Sequence, residues 1–182
     1  MNHLGTKRIE TDRLLLRPFT VEDAQAMYDN WASDPEVTKY LTWTAYQSEE
    51  TANEILSIWT KEYEKQDFYQ WAIELKNLGQ PIGSISVVEM KERALAAHIG
   101  YCIGRNWWHQ GIMSEALRAV MDFLFDEVGF NRLESRHDPN NPNSGKVMMK
   151  CGMKYECTMR QSDWNNQGIC DASWYALLKD ER

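Results

Sequence analysis

The segment Trp108-His109-Gln110-Gly111-Ile112-Met113 follows a strand-like run and opens a long helical pattern. A helix N-terminus presents N–H groups without intrahelical partners and a partial positive charge. Both suit a pyrophosphate. Gly111 removes a Cβ where backbone must approach phosphate oxygens. Taken alone, one glycine at a strand-to-helix junction reads as a plain turn. A second polar cluster, Asn140-Asn141-Pro142-Asn143-Ser144, is turn-rich, and Asn143 or Ser144 can cap a short helix. Glu115, in the first turn of the long helix, reads as an acid that complements the helix dipole. No metal chemistry is expected. The four cysteines form no C-x-x-C pair, and the four histidines form no H-x-x-x-H pattern.

The elements that must position these residues alternate along the chain. Leu14-Leu15-Leu16, ending at Pro18, reads as a first strand. Thr20 with Asp23 resembles a capping box opening a helix through Met27 and Trp31. Ser48 followed by Glu49 and Glu50 marks a second helix start, with Ile55, Leu56, Ile58, Trp59 and Tyr63 as its apolar stripe. Strands are expected at 68–75, 82–88, 96–103 and 130–137, with a turn at Asn77 to Pro81. The long helix is expected from about Met113 to Val128, closed by Gly129. The short helix ends at Gly152. Two final strands, around Tyr155 and Trp174, flank the turn Asn165-Asn166-Gln167-Gly168. The expected architecture is a single α/β domain over residues 1–182: a mixed sheet with helices on both faces. Trp59 and Trp71 read as core residues.

Composition bounds the function. With 182 residues and 43% hydrophobic content, the chain can bury a substantial core. A net charge of −7 disfavours a phosphate backbone as partner, so nucleic acid is not expected. It weakly favours cationic partners such as amines or basic peptides. No apolar stretch approaches a membrane span, and Met1 to Arg8 lacks a signal-peptide core. A cytoplasmic location without membrane association is the expectation.

Five ordered segments together resemble the GNAT superfamily of acetyltransferases, and within it the RimJ/RimL-type branch. They are Thr11-Asp12-Arg13-Leu14-Leu15-Leu16-Arg17-Pro18 with Glu22-Asp23-Ala24 behind it; Asp34-Pro35-Glu36-Val37; Gly100-Tyr101 with Trp107 through Ala116; Lys150-Cys151-Gly152-Met153; and Gly168-x-x-Asp171-x-x-x-Tyr175-x-Leu177-Leu178. The resemblance covers nearly the whole chain. It implies a mostly antiparallel central sheet splayed at the cofactor site, after the strand ending at Ile103. Acetyl-CoA would be the co-substrate, its pantetheine inserted as a pseudo-strand.

By that resemblance, free backbone groups of Tyr101, Cys102 and Ile103 bond the pantetheine and polarise the thioester, an oxyanion-type stabilisation. The loop Trp108, His109, Gln110, Gly111, Ile112 and Met113 holds the pyrophosphate through its amides. Asn141 matches the family asparagine on the pantetheine arm. Ser144 matches a residue near the CoA sulfur and could donate to the departing thiolate. Many relatives place a tyrosine acid where this chain has Met148. Two departures stand out: His109 occupies a position where glycine is usual, and Met113 adds bulk near the phosphates. His98 stands where relatives often carry a glutamate, and is a candidate general base with an ordinary pKa near 6.5. A histidine simply hydrogen-bonded on the sheet is an equal reading. Glu89 is the second candidate base, although a solvated strand end fits it better. Trp31 and Trp43 fall where an acceptor pocket would be bordered.

The resulting expectation is acetyl transfer from acetyl-CoA to a primary amine, foremost a protein N-terminal α-amine. The alternatives are a small amine (polyamine, amino acid or antibiotic) and a non-catalytic acyl-CoA-binding module. A homodimer is left open.

Overall fold

The computed structural model describes residues 1–182. Eight strands form one sheet: β1 (Ile9–Glu10), β2 (Leu14–Arg17), β3 (Gln70–Leu75), β4 (Gln80–Lys91), β5 (Ala96–Ile103), β6 (Arg132–His137), β7 (Lys154–Asn165) and β8 (Gly168–Leu178). Their order is β1-β2-β3-β4-β5-β6-β8-β7. Every neighbouring pair is antiparallel except β5 and β6. The helices are α1 (Ala24–Met27), α2 (Pro35–Thr38), α3 (Glu49–Glu62), α4 (Ile112–Phe123) and α5 (Pro142–Lys150). None of them is long and apolar enough to cross a membrane.

Strand alternation divides the apolar residues between two faces. Trp71 and Ile73 of β3 join a large core with Ile112, Ala116, Leu117 and Val120 of α4. Between them Ala72 turns the other way, into a smaller core with Phe19, Met27, Trp31 and Leu56. The sheet is therefore covered on both faces, as its sequence pattern predicts. Ile58 is the exception on the α3 stripe: it is 56% exposed, on the side of α3 away from this core.

Three helix ends differ from expectation. The helices expected to reach Trp31 and Val128 finish in wider π turns, Tyr28–Ala32 and Leu124–Val128. Asn141, not Asn143 or Ser144, occupies the N-cap of α5. Pro142 explains this. Proline is favoured at the first helical position and disfavours helical geometry in the residue before it.

The parallel β5–β6 ladder is short. It pairs Ala96, Ala97 and His98 with Arg132, Leu133 and Glu134, and then stops. Beyond it β6 stays paired with β8, while β5 stays paired with β4. At the point of divergence the buried Ser135 hydroxyl donates to the Ile99 carbonyl at 2.7 Å. A side chain thus replaces the ladder bond at the fork. Ser135→Ala should leave that buried carbonyl unpaired, at a cost of about 1–3 kcal/mol. Urea unfolding checks this; unchanged stability would show that the fork does not depend on the hydroxyl.

Candidate active site

The backbone of β5 past the fork follows from the β4–β5 register. Gly104 N–H bonds the Ile82 carbonyl, which makes Ile82/Gly104 a hydrogen-bonded pair. Alternation then directs the polar groups of Cys102 and Gly100 toward β4 and those of Ile103, Tyr101 and Ile99 away from it. The Ile99 carbonyl is taken by Ser135, and the Ile103 carbonyl by Trp108 Nε1 at 2.9 Å. The N–H groups of Tyr101 and Ile103 and the Tyr101 carbonyl face the gap. Cys102 differs from expectation: its backbone belongs to the β4 ladder, opposite Ser84. What it offers is a side chain, and burial raises its thiol pKa.

A groove of about 290 Å³ runs along this edge. It is lined by Tyr101, Cys102 and Ile103, by Trp108, His109, Gly111, Ile112 and Met113, and by Asn141 and Ser144. Sequence-predicted cofactor residues from three separate segments therefore share one cavity. Gln110 is the exception; it lies on the neighbouring surface, and its carbonyl accepts from Arg13 at 2.9 Å. At the far end of the groove, Gly111 caps α4 with φ +72°, so the first N–H groups of α4 open onto the groove without a capping side chain. His109 adopts φ +60°, which explains why glycine is usual there. Met113 is 6% exposed and packs into the large core while also lining the groove, so most of its bulk is absorbed by the core.

The loop is held from outside. Glu115 Oε1 accepts from Thr11 Oγ1 at 2.6 Å and from Arg13 N–H at 3.0 Å, while Oε2 accepts from Arg13 Nε at 2.7 Å. Burial would raise the Glu115 carboxyl, but these bonds outweigh it and hold the group below its ordinary range. Glu115 thus ties the N-terminus of β2 to the first turn of α4. Sequence reasoning passed over Arg13 and Lys150 as cofactor residues. A Cβ at Gly111 would lie 3.5 Å from Lys150 Nζ and 3.7 Å from an Arg13 guanidinium nitrogen. Two cations beside a free helix N-terminus fit a pyrophosphate. Lys146 lines the same groove.

Where the groove meets the sheet, Ser144 Oγ donates to the Tyr101 hydroxyl at 3.2 Å, and that hydroxyl donates to the Ser144 carbonyl at 2.9 Å. Burial pushes the Tyr101 hydroxyl pKa well up, so it stays a proton-bearing donor. Met148 is fully buried in the core and supplies no acid. A tyrosine hydroxyl is instead placed here by the strand, a position that the backbone-centred reading of Tyr101 missed.

A second cavity, of about 460 Å³, opens on the opposite side of the fork. It shares Tyr40, Leu41, Tyr101, Cys102, Asn141 and Ser144 with the groove, so the two meet there. Its walls include Trp31, Trp43, Tyr46, His98, Arg136 and Asp163. His98 is 5% exposed. Arg136 Nη1 lies 3.5 Å from each of its ring nitrogens. Arg136 also packs over Trp174 at 5.1 Å and donates from Nε to Asp163 at 2.5 Å. Burial, reinforced by the Arg136 charge, depresses the His98 pKa to about 4. An ionisation of His98 near 6.5 is therefore not what this environment produces. Glu89 faces His98 in register, but it is exposed and lines neither cavity.

His109→Gly should raise stability by about 1 kcal/mol, because glycine occupies the left-handed region without the Cβ clash. Thermal unfolding checks this; a loss of stability would mean the imidazole itself holds the loop. For His98 the folded pKa lies below the unfolded value, so the unfolded chain takes up the proton first as pH falls. Stability from neutral His98 is full above about 6.5 and is lost as the pH falls toward 4, by up to about 3 kcal/mol. Unfolding of wild type against His98→Gln across this window should show the difference; parallel curves would refute it.

The chain is similar to known proteins in sequence and fold. The acetyltransferase (GNAT) domain family matches residues 13–154. The chain is similar to the uncharacterized N-acetyltransferase p20 of Bacillus licheniformis, at 30% identity over 94% of this chain and 96% of that one. It is similar over a shorter span to a ribosomal-protein-serine acetyltransferase of Escherichia coli, at 28% identity over 56% of each chain. Its fold superimposes on RimL, a ribosomal L7/L12 α-N-protein acetyltransferase solved with coenzyme A, with TM-score 0.85 and 22% identity over 97% of this chain and 100% of that one. The chain belongs to the GNAT acetyltransferase family and is an acetyl-CoA-dependent N-acetyltransferase.

Proposed function

We propose that the acceptor is an α-amine at the N-terminus of a peptide or protein, and that transfer occurs where the two cavities meet. The observation that carries this reading is their shared wall of Tyr101, Cys102, Asn141 and Ser144. An acyl group entering along the groove and an amine entering through the cleft come together only there.

In this reading the N–H groups of Tyr101 and Ile103 are preorganised donors for the oxygen that gains charge when the amine adds. The Ser144 hydroxyl, turning from the Tyr101 oxygen to which it donates at rest, would donate to the departing thiolate. Asn141 caps α5 at the edge of both cavities and would hold the pantetheine arm. Arg13, Lys150 and the first N–H groups of α4 would hold the phosphates.

The choice of an α-amine rests on the weakness of the candidate bases. His98 is neutral with a pKa near 4, and Glu89 is outside the cleft. An α-amine has pKa about 8 and is partly neutral at pH 7, whereas a lysine amine near 10.4 needs a base. The cleft also reaches the surface at Val88 and Trp164, which are 59% and 58% exposed, and so can admit a chain end. The ribosomal-protein acetyltransferase among the relatives is consistent with such an acceptor.

Thiol release from acetyl-CoA tests the reading with a panel of peptides. Peptides with a free N-terminus should be turned over at pH 7. The same peptides with a blocked N-terminus and an internal lysine should not. Faster turnover of the lysine peptides, or of small amines, would replace the proposal. Gly111→Val should weaken acetyl-CoA binding about tenfold or more by filling the approach to the phosphates. Wild-type affinity in a folded Gly111→Val variant would place the phosphate loop elsewhere.

A further inference from the structure

Apart from tyrosines and cysteines, the titratable groups lining the acceptor cleft are few: His98, His137, Arg136, Asp163 and Asp138. Arg136 and Asp163 neutralise each other through their ion pair. His98 is neutral at pH 7, as above. Asp138 has no such compensation. It is 8% exposed, at the C-terminal end of β6 where the chain turns into α5. Its carboxylate accepts from Asn140 N–H at 2.8 Å and from Asn165 Nδ2 at 2.9 Å, and the Cys170 thiol lies beside it. No lysine, arginine or histidine pairs with it, although the chain forms ion pairs freely elsewhere.

A buried carboxylate without a cation is an uncompensated charge. The neutral groups around it, two N–H donors and a thiol, satisfy only part of its acceptor capacity, since a carboxylate offers about four lone-pair sites. Asp138 lines a cavity that reaches solvent and whose walls include Tyr40, Trp43, Tyr46 and Trp164. Trp43 and Tyr46 rings pack at 5.1 Å. Aromatic faces and one open carboxylate together are what a cation with an apolar body needs.

We infer that Asp138 is the cation site of the acceptor cleft, receiving the ammonium of the incoming amine. The inference rests on the cleft being the acceptor site. It narrows the acceptor to cationic amines with no carboxylate beside the amine, because Arg136 is already paired and no other cation is present to meet one. Free amino acids are thereby disfavoured and peptide N-termini fit; simple arylalkyl amines fit as binding probes of the site. The ammonium loses its proton to water through the open mouth, and the neutral amine keeps an N–H bond to Asp138. Asp138 is a specificity residue in this account.

The test uses protein saturated with CoA, which has no acetyl group to transfer, and two isosteric probes: 2-phenylethylamine and 2-phenylethanol. Calorimetric titration should show the ammonium binding about tenfold or more tightly than the alcohol, as a charge-assisted bond requires. Asp138→Asn should abolish that preference. Because Asp138→Asn can turn an amide toward Asn165, a second variant combines it with Asn165→Asp. The pair keeps the hydrogen bond and the net charge while moving the carboxylate, so part of the preference should return. No difference between the probes in wild type overturns the inference. So does a preference that survives Asp138→Asn, which would leave Asp138 only the turn it forms with Asn140. CoA affinity, measured on all three proteins, should be unchanged; failure of wild type to bind CoA would instead count against the cofactor groove.

Discussion

The parting of β5 from β6 after His98 is the constraint on which the site depends. A sheet normally spends its backbone donors on neighbouring strands. Here three residues of parallel pairing are enough to fix the two strands, and a serine hydroxyl closes the last bond. Past that point β5 has one partner only. Its outward N–H groups at Tyr101 and Ile103 are held rigidly by β4 yet remain free to bind. The same parting creates both cavities, one on each side of the fork, with the Tyr101–Ser144 pair between them.

Charge is distributed unevenly about this fork. The chain as a whole carries −7, yet the phosphate end of the groove is flanked by Arg13, Lys146 and Lys150. The proposed acceptor cleft contains one arginine, and Asp163 occupies it. A polyanionic cofactor and a cationic amine would therefore meet opposite local fields despite a single net charge. Net charge speaks to encounter; the placement of individual side chains decides which end each ligand enters.

The phosphate loop shows how a local rule can be broken at modest cost. His109 takes a left-handed conformation without being glycine. Such a residue persists when its surroundings over-determine it. Arg13 and Glu115 do so here, tying the loop and the first turn of α4 to β2. The anchor lies about a hundred residues away in sequence, so local inspection of the loop finds the strain but not what maintains it.

Much of this protein was legible in its sequence because the signals were local. The alternation at Ala96–Ile103 gave the strand, Gly111 and the apolar period after it gave the loop and helix, and Asn165 to Gly168 gave the last turn. Each is set by neighbouring residues whose backbone preferences are strong. The groove residues also followed, since the five family segments arrive in order. Tertiary structure alone decided the rest. Which backbone groups of β5 are free depends on register with β4, so Cys102 proved committed where Tyr101 and Ile103 are open. The Tyr101 hydroxyl reaches Ser144 only because α5 folds back over the fork. The low pKa of His98 needs Arg136 and burial, and the isolation of Asp138 needs Arg136 to be paired with Asp163. Desolvation and long-range charge pairing are properties of the packed molecule, and no stretch of sequence contains them.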